Sequence, residues 1–376
     1  MAGTGERDDV ESYIAAGLYD PETNERTGRL ELLRWLRDQG HSLAELTERK
    51  NDDSLGSLAG DRRLVPGDRL TRAEAIAASG VTADELDALS LALQFQPIQG
   101  APDGEPGYTA AELGTIRDFA ALSAIFSPEE ALSLVRTAGS SVARIADAAV
   151  SLFLADIESP HVLAGDSELD LAKKVYDAVG VIDGFGHSLD PLLRRHLLQA
   201  IERTRRTTVG ETERFQYRFA VGFVDLVGFT SASAGMDPAD LAAFIRDFEE
   251  RAHECAARNG GRVVKLIGDE VMFVAEDASA ACRVGHALME DFVLGDGAVV
   301  PRGGVAFGHV LPRGGDYYGE VVNLAARLVD EAVPRELLVT EAVADAASGC
   351  EFEPAGRRMV KGFADPVVVK SLVRPG

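Results

Sequence analysis

Three stretches of the chain combine residue types that suit phosphate chemistry. The first, Phe223-Val224-Asp225-Leu226-Val227-Gly228-Phe229-Thr230, runs an apolar segment into a carboxylate and then a glycine, which lets backbone come close to a ligand. The second, Lys265-Leu266-Ile267-Gly268-Asp269-Glu270-Val271-Met272-Phe273, sets two apolar segments around a tight Gly-Asp turn, a hairpin with its acid at the tip. Strand alternation predicts that Lys265 shares a face with Val263 and Ile267, an amine among apolar side chains that requires a partner. If the hairpin pairs beside the first strand, Asp225 and Asp269 are suited to share hard cations such as Mg²⁺ or Mn²⁺, which take one or two carboxylates plus phosphate oxygens. Two such ions about 3.5–4 Å apart stabilise both the attacking and the leaving oxygen of a phosphoryl displacement. The third stretch runs from Asp316 to Leu328. Asn323 and Arg327 share one helix face there, while Leu324, Ala325, Ala326 and Leu328 fill the other. An amide beside a guanidinium suits a ribose oxygen and a phosphoryl group. Taken singly, each stretch also has a plain structural reading: a turn-capping Asp, ordinary turn chemistry, a surface Arg.

The elements around these residues divide the chain. From about residue 215, short runs rich in Val, Ile and Phe predict strands at Phe219–Val224, Val263–Ile267, Val271–Val274, Val305–Val310, Leu337–Thr340 and Val367–Val373. Helices are predicted between them at Ala239–Arg258, Ala278–Phe292 and Val321–Val329, the first opened by Asp237-Pro238. This alternation predicts an α+β or α/β sheet domain. Upstream, Leu30, Leu33 and Leu36, then Leu86, Leu89 and Leu93, recur at helical spacing, and residues 120–154 are rich in Ala, Leu and Val. Gly, Pro and Asp cut these segments at residues 65–68, 97–107, 127–128 and 159–160. The expected organisation is an all-helical domain over 1–190, a linker helix over 191–210 and a sheet domain over 211–376. The linker carries Arg194-Arg195 and Arg205-Arg206, and weakens at Thr207-Thr208 and Gly210. It reads either as a solvated helix or as a helix–coil switch.

Composition narrows the function classes. The 376 residues suffice for two cores. Against 38 Lys and Arg stand 61 Asp and Glu, a formal charge of −23, which disfavours nucleic acid phosphates and anionic lipid. Residues 10–50 resemble the helix-turn-helix of MerR-type regulators. However, residues 1–70 hold 15 acidic and 10 basic side chains, net −5, which opposes DNA binding. No run is expected to reach the roughly 20 apolar residues of a membrane span. The first residues, MAGTGERDDVES, have no signal-peptide core. Cys255, Cys282 and Cys350 are too scattered for a disulfide framework. A reduced, soluble, cytoplasmic protein is expected.

Taken together, Phe-x-Asp-x-x-Gly-Phe-Thr, Lys-x-x-Gly-Asp and Asp-x-x-Gly-x-x-x-Asn-x-x-x-Arg resemble the class III nucleotide cyclase catalytic domain. The likeness extends over roughly residues 215–374 and includes Val360-Lys361-Gly362-Phe363. It implies an α+β domain with a ferredoxin-like, palm-type βαββαβ core behind the all-α domain. It also implies an adenylate cyclase that forms 3′,5′-cyclic AMP and pyrophosphate from ATP. By this resemblance, Asp225 and Asp269, with the backbone carbonyl near Leu226, hold two Mg²⁺ or Mn²⁺ ions. Lys265 and Asp316 select adenine, Asn323 orients the ribose, Arg327 stabilises charge on the α-phosphate, and Lys361 touches the triphosphate. Sites in this family form between two catalytic domains, and all six principal residues occur on this chain, which implies a homodimer with two equivalent sites. The helical half resembles that of actinobacterial soluble cyclases with an autoinhibitory, pH-responsive N-terminal domain. His187 and His196, nearest the linker, are the expected proton sensors, and a fatty acid or other apolar ligand is the alternative stimulus. Two rival readings stand beside this one. One is a sensing protein whose cyclase-like half is a silent dimerisation device. The other is a guanylate cyclase, which Lys265 with Asp316 opposes. A diguanylate cyclase is opposed by the turn sequence, which reads Ile-Gly-Asp-Glu-Val.

Overall fold

Ser42, Thr71, Thr82 and Thr109 each accept a hydrogen bond from the backbone N–H three residues on. Glu45, Glu74, Glu85 and Glu112 reach back to the N–H of the capping residue. These reciprocal caps satisfy N–H groups that a helix start otherwise leaves bare, and they fix where the short N-terminal helices begin. The structure is a computed structural model that describes residues 5–22, 28–50, 55–95, 106–165, 167–207, 217–292 and 299–376. It divides into two units, Met1–Arg194 and Arg195–Gly376.

The first unit contains α1 (Gly5–Ala15), α2 (Arg29–Asp38), α3 (Leu43–Glu48), α4 (Leu58–Leu64), α5 (Arg72–Ser79), α6 (Ala83–Ala92), α7 (Ala110–Ala120), α8 (Pro128–Phe153) and α9 (Ser159–Ala164), and most of α10 (Glu168–Thr207). It is not purely helical, because β1 (Leu70–Thr71) pairs with β2 (Pro106–Tyr108). One core gathers Leu32, Leu33 and Leu36 with Tyr13, Leu46 and Ala172. A second joins Leu86 and Leu89 to Leu113, Ile116 and Val135. The leucines at helical spacing therefore face inward. The Ala/Leu-rich stretch behaves differently: α8 buries Ala131, Val135 and Gly139, while Leu134, Val142, Val150 and Leu152 are exposed. Pro128–His161 is long and apolar enough to cross a membrane by length and composition alone, although Arg136, Arg144 and Asp147 interrupt it and Glu129, Glu130, Asp156 and Glu158 lie towards its ends. The predicted linker helix also starts earlier than expected, since α10 is already helical from Glu168 and carries Pro191 inside it. Thr208 and Gly210 lie outside the described residues.

The second unit is built on β3 (Tyr217–Val227), α11 (Phe229–Ser233), α12 (Pro238–Arg258), β4 (Gly261–Ile267), β5 (Glu270–Ala275), α13 (Ala278–Asp291), β6 (Val300–Arg313), β7 (Asp316–Tyr318), α14 (Glu320–Glu331), β8 (Leu337–Thr340), α15 (Glu341–Ala346), β9 (Glu351–Arg358) and β10 (Val367–Arg374). Its sheet has the order β4-β5-β3-β6-β8-β10-β9, with β7 paired to β6. The first four strands with α12 and α13 make a βαββαβ core of ferredoxin-like order. Alternation along β3 sorts side chains to two faces. Ala220, Val224 and Leu226 join the core under α12 and α13. Phe219, Val221 and Phe223 join Ala325 and Val329 of α14 on the other side. There α14 lies hard against β6, and a Cβ at Gly304 would sit 2.5 Å from the Ala325 carbonyl oxygen.

Candidate active site

The hairpin forms as predicted and pairs beside β3. Gly268 adopts φ +64° between β4 and β5, leaving Asp269 at the tip, and Glu270 stands opposite Asp225 across the β3–β5 ladder. Cross-strand partners point to one face, and Asp225 alternates with Phe223, so its carboxylate projects to the α14 side. Burial raises the Asp269 pKa above the ordinary carboxylate value and repulsion from Asp225 raises it further, against the lowering pull of its own backbone N–H and of Arg302. Glu270 is pushed up to about 7, chiefly by burial and then by Asp225, Asp330 and Asp269.

Arg302 is the neighbour that sequence reasoning missed. Strand β6 begins at Val300 rather than at the predicted Val305, and this extension places Arg302 opposite Asp225. Its Nε donates to Asp225 Oδ2 at 3.1 Å, and its Nη2 lies 3.1 Å from the same oxygen in an ion pair. The run Pro301-Arg302-Gly303-Gly304 carries a turn-like composition that conceals a strand start.

The face assigned to Lys265 needs correction. Alternation placed it with Val263, but β4 has an irregularity between them: Val263 pairs with Phe273, and Lys265 pairs with the next residue, Met272. Phe273 belongs to the α12/α13 core and Met272 to the α14 side. The extra residue, Val264, is a β-bulge, and Lys265 therefore emerges on the α14 face, opposite to Val263. There its ammonium donates to Asp316 Oδ2, and Asp316 Oδ1 accepts from the Tyr317 backbone N–H at 2.8 Å. The partner expected for this half-buried amine is thus Asp316.

Asn323 and Arg327 project from α14 into solvent, while Ala325, Leu328 and Val329 are buried beneath them. Arg327 Nη1 reaches Asp330 Oδ2 at 3.5 Å. The turn carrying Lys361 is anchored by Val360, which packs with Leu328 of α14 and with Ala332 just beyond its end, and Lys361 itself is exposed. One chain therefore assembles Asp225, Asp269, Glu270 and Arg302 at the hairpin tip, and separately joins Lys265 to Asp316. Asn323 and Arg327 stay on an open helix face. His187 and His196 are exposed on α10.

The acids at the tip fit a hard cation. Asp225, Asp269 and a main-chain carbonyl are all oxygen donors, and positive charge there relieves the repulsion that raises Asp269. Among the described residues no cluster of three or more His, Cys, Asp or Glu suits a metal.

An adenylate cyclase of Glutamicibacter nicotianae is 30% identical over 334 residues, spanning 83% of this chain and 81% of its own. The chain belongs to the class III adenylate cyclase family. The kinship reaches into the helical half of this cyclase. An uncharacterized protein of Mycobacterium tuberculosis is 30% identical over 366 residues, covering 97% of the cyclase and 94% of the relative. A pH-sensitive adenylate cyclase of the same species is 27% identical over 357 residues, covering 91% and 87% respectively. No protein-family profile matches the chain.

Proposed function

We propose that this cyclase converts ATP to 3′,5′-cyclic AMP and pyrophosphate by in-line attack of the ribose 3′-oxygen on the α-phosphorus. The observation that carries the reading is the Lys265–Asp316 pair on the same sheet face as Asp225, with Asp269 beside it at the hairpin tip. Lys265 donates to adenine N1 and Asp316 accepts from the exocyclic amine, a pattern that guanine cannot match. Asp225 and Asp269 hold two Mg²⁺ or Mn²⁺ ions, helped by the carbonyl near Leu226. When bound, these ions supply Lewis-acid stabilisation of the triphosphate and lower the pKa of the ribose 3′-hydroxyl. Asn323 orients the ribose, and Arg327 stabilises the charge that grows on the α-phosphate. Lys361 binds the outer phosphates.

Two copies complete each site, Asp225 and Asp269 of one chain meeting Lys265, Asp316, Asn323 and Arg327 of the other. The solvent-facing position of both α14 residues supports this arrangement. The decisive experiment mixes inactive Asp225→Ala and Arg327→Ala chains and assays cyclic AMP from ATP. Heterodimers with one intact site recover activity, and silence in demonstrated heterodimers would refute the shared site.

The helical unit regulates turnover by shifting the population of a folded or unwound α10 end, with pH or an apolar ligand as the signal. The pH-sensitive relative and the exposed His187 and His196 support the first signal. An open cavity with an apolar wall of Ile157, Pro160, Ala164, Ala178 and Val181, and with Lys174 and His161 beside Asp156 and Asp177, is the feature that supports an apolar ligand. A comparison of the full chain with residues 208–376 across pH and fatty-acid concentration tests both. Identical profiles for the two remove the regulatory role.

A further inference from the structure

Asp316 presents its carboxylate from a strand of only three residues, β7, whose one sheet neighbour is β6. Such a short edge segment does not hold a side chain still by its own ladder. A second tie exists. Arg262 of β4 donates from Nη2 to the Tyr317 hydroxyl at 2.7 Å, and its guanidinium lies 5.4 Å from the Tyr317 ring centroid. The same ring packs edge-on against Phe219, with centroids 5.4 Å apart. Arg262 is half-buried and its Nε has no hydrogen-bond partner among the described residues, so the tyrosine contact offsets part of the cost of withdrawing the guanidinium from water.

The bulge explains how one strand supplies both grips. Residues three apart on a regular strand point to opposite faces. Arg262 pairs with Val274 and Lys265 with Met272, both on the α14 side, because Val264 adds the extra residue between them. Two consecutive residues of β7 thus meet two residues of β4: Lys265 binds Asp316, and Arg262 binds Tyr317.

We infer that Arg262 and Tyr317 are positioning residues for base selection, fixing Asp316 at the distance from Lys265 that discriminates adenine from guanine. This rests on the proposed role of Lys265 and Asp316 in reading the base. Neither residue touches substrate; both act through Asp316. Losing the tie leaves Asp316 held by the short β7–β6 pairing and its Lys265 contact alone, so the acceptor for the exocyclic amine is present but loosely aimed.

The test compares the full chain with Tyr317→Phe, Arg262→Ala, the double variant and Lys265→Ala. Kcat and KM are measured with ATP and GTP, and folding is checked by thermal unfolding. Tyr317→Phe keeps the ring on Phe219 and removes only the hydroxyl. The expected result is a fall of about tenfold in the ATP-over-GTP ratio of kcat/KM, carried by KM for ATP, with kcat within about twofold. The double variant is expected to be no worse than Arg262→Ala alone, because both residues serve one contact. A ratio unchanged in Tyr317→Phe and Arg262→Ala but relaxed in Lys265→Ala overturns the positioning role and leaves the base reading standing. A ratio unchanged in Lys265→Ala overturns the base reading and the positioning role with it.

Discussion

Gly304→Ala is expected to damage catalysis from a position that touches no substrate. The added methyl group would lie 2.5 Å from the Ala325 carbonyl oxygen, 2.6 Å from Leu328 Cβ and 3.0 Å from the Val329 nitrogen. Two of these three atoms are helix backbone, so rotamer change cannot relieve the clash. Restoring an ordinary 3.4 Å contact moves α14 off β6 by about 1 Å. Overpacking of this kind costs about 1–3 kcal/mol, which for a unit of this size is a loss of roughly 2–12 °C in Tm. Asn323 and Arg327 ride on the displaced helix. A misplacement near 1 Å lowers kcat by about 10²-fold. The assay is cyclic AMP formation at saturating ATP and a temperature at which the variant remains folded, alongside a calorimetric scan. A folded variant with parental kcat would show that the helix position does not govern the reaction, and the argument from close packing would be wrong.

Three further outcomes are expected. Treatment with a chelator abolishes cyclic AMP formation and Mn²⁺ restores it; turnover that persists in chelator would remove the cation role of Asp225 and Asp269. Thr109→Ala breaks the reciprocal cap with Glu112 and destabilises the helical unit by about 1 kcal/mol in denaturant unfolding. His41 is held below its ordinary value of 6.5, first by burial and then by Arg62 against the opposing pull of Glu45. The folded state therefore keeps it neutral while the unfolded chain takes up a proton, so stability falls as pH drops below 6.5 and levels off beneath the folded value. His41→Leu should flatten that dependence between about pH 5 and 7, and an unaltered slope would place its origin elsewhere.

Much of the catalytic half was legible because its central strands are continuous apolar runs bounded by glycine and acid. Helix α14 declared itself through Asn323 and Arg327 on one face and small residues on the other. Strand β9 was not legible: Glu351–Arg358 is polar and contains Pro354, the composition of a sheet edge rather than a centre. Arg302 was hidden because two glycines follow it, and those glycines serve close packing rather than a turn: Gly303 against Leu337 of β8 and the β3 backbone, Gly304 against α14. The exposure of α8 could not be read from its composition, since an apolar helical face looks the same whether it meets its own chain or remains open. The face of Lys265 was misjudged for a different reason: alternation assumes that no residue is skipped, and Val264 is skipped.

That skipped residue limits what can be borrowed from this site. Grafting the lysine and arginine onto another sheet at their native sequence separation would send them to opposite sides unless the irregularity were transplanted too. In an ungapped stretch of ordinary strand, the pair would need an even separation to work together. Adding or removing one residue at this point would therefore turn one of the two side chains to the opposite face of the sheet.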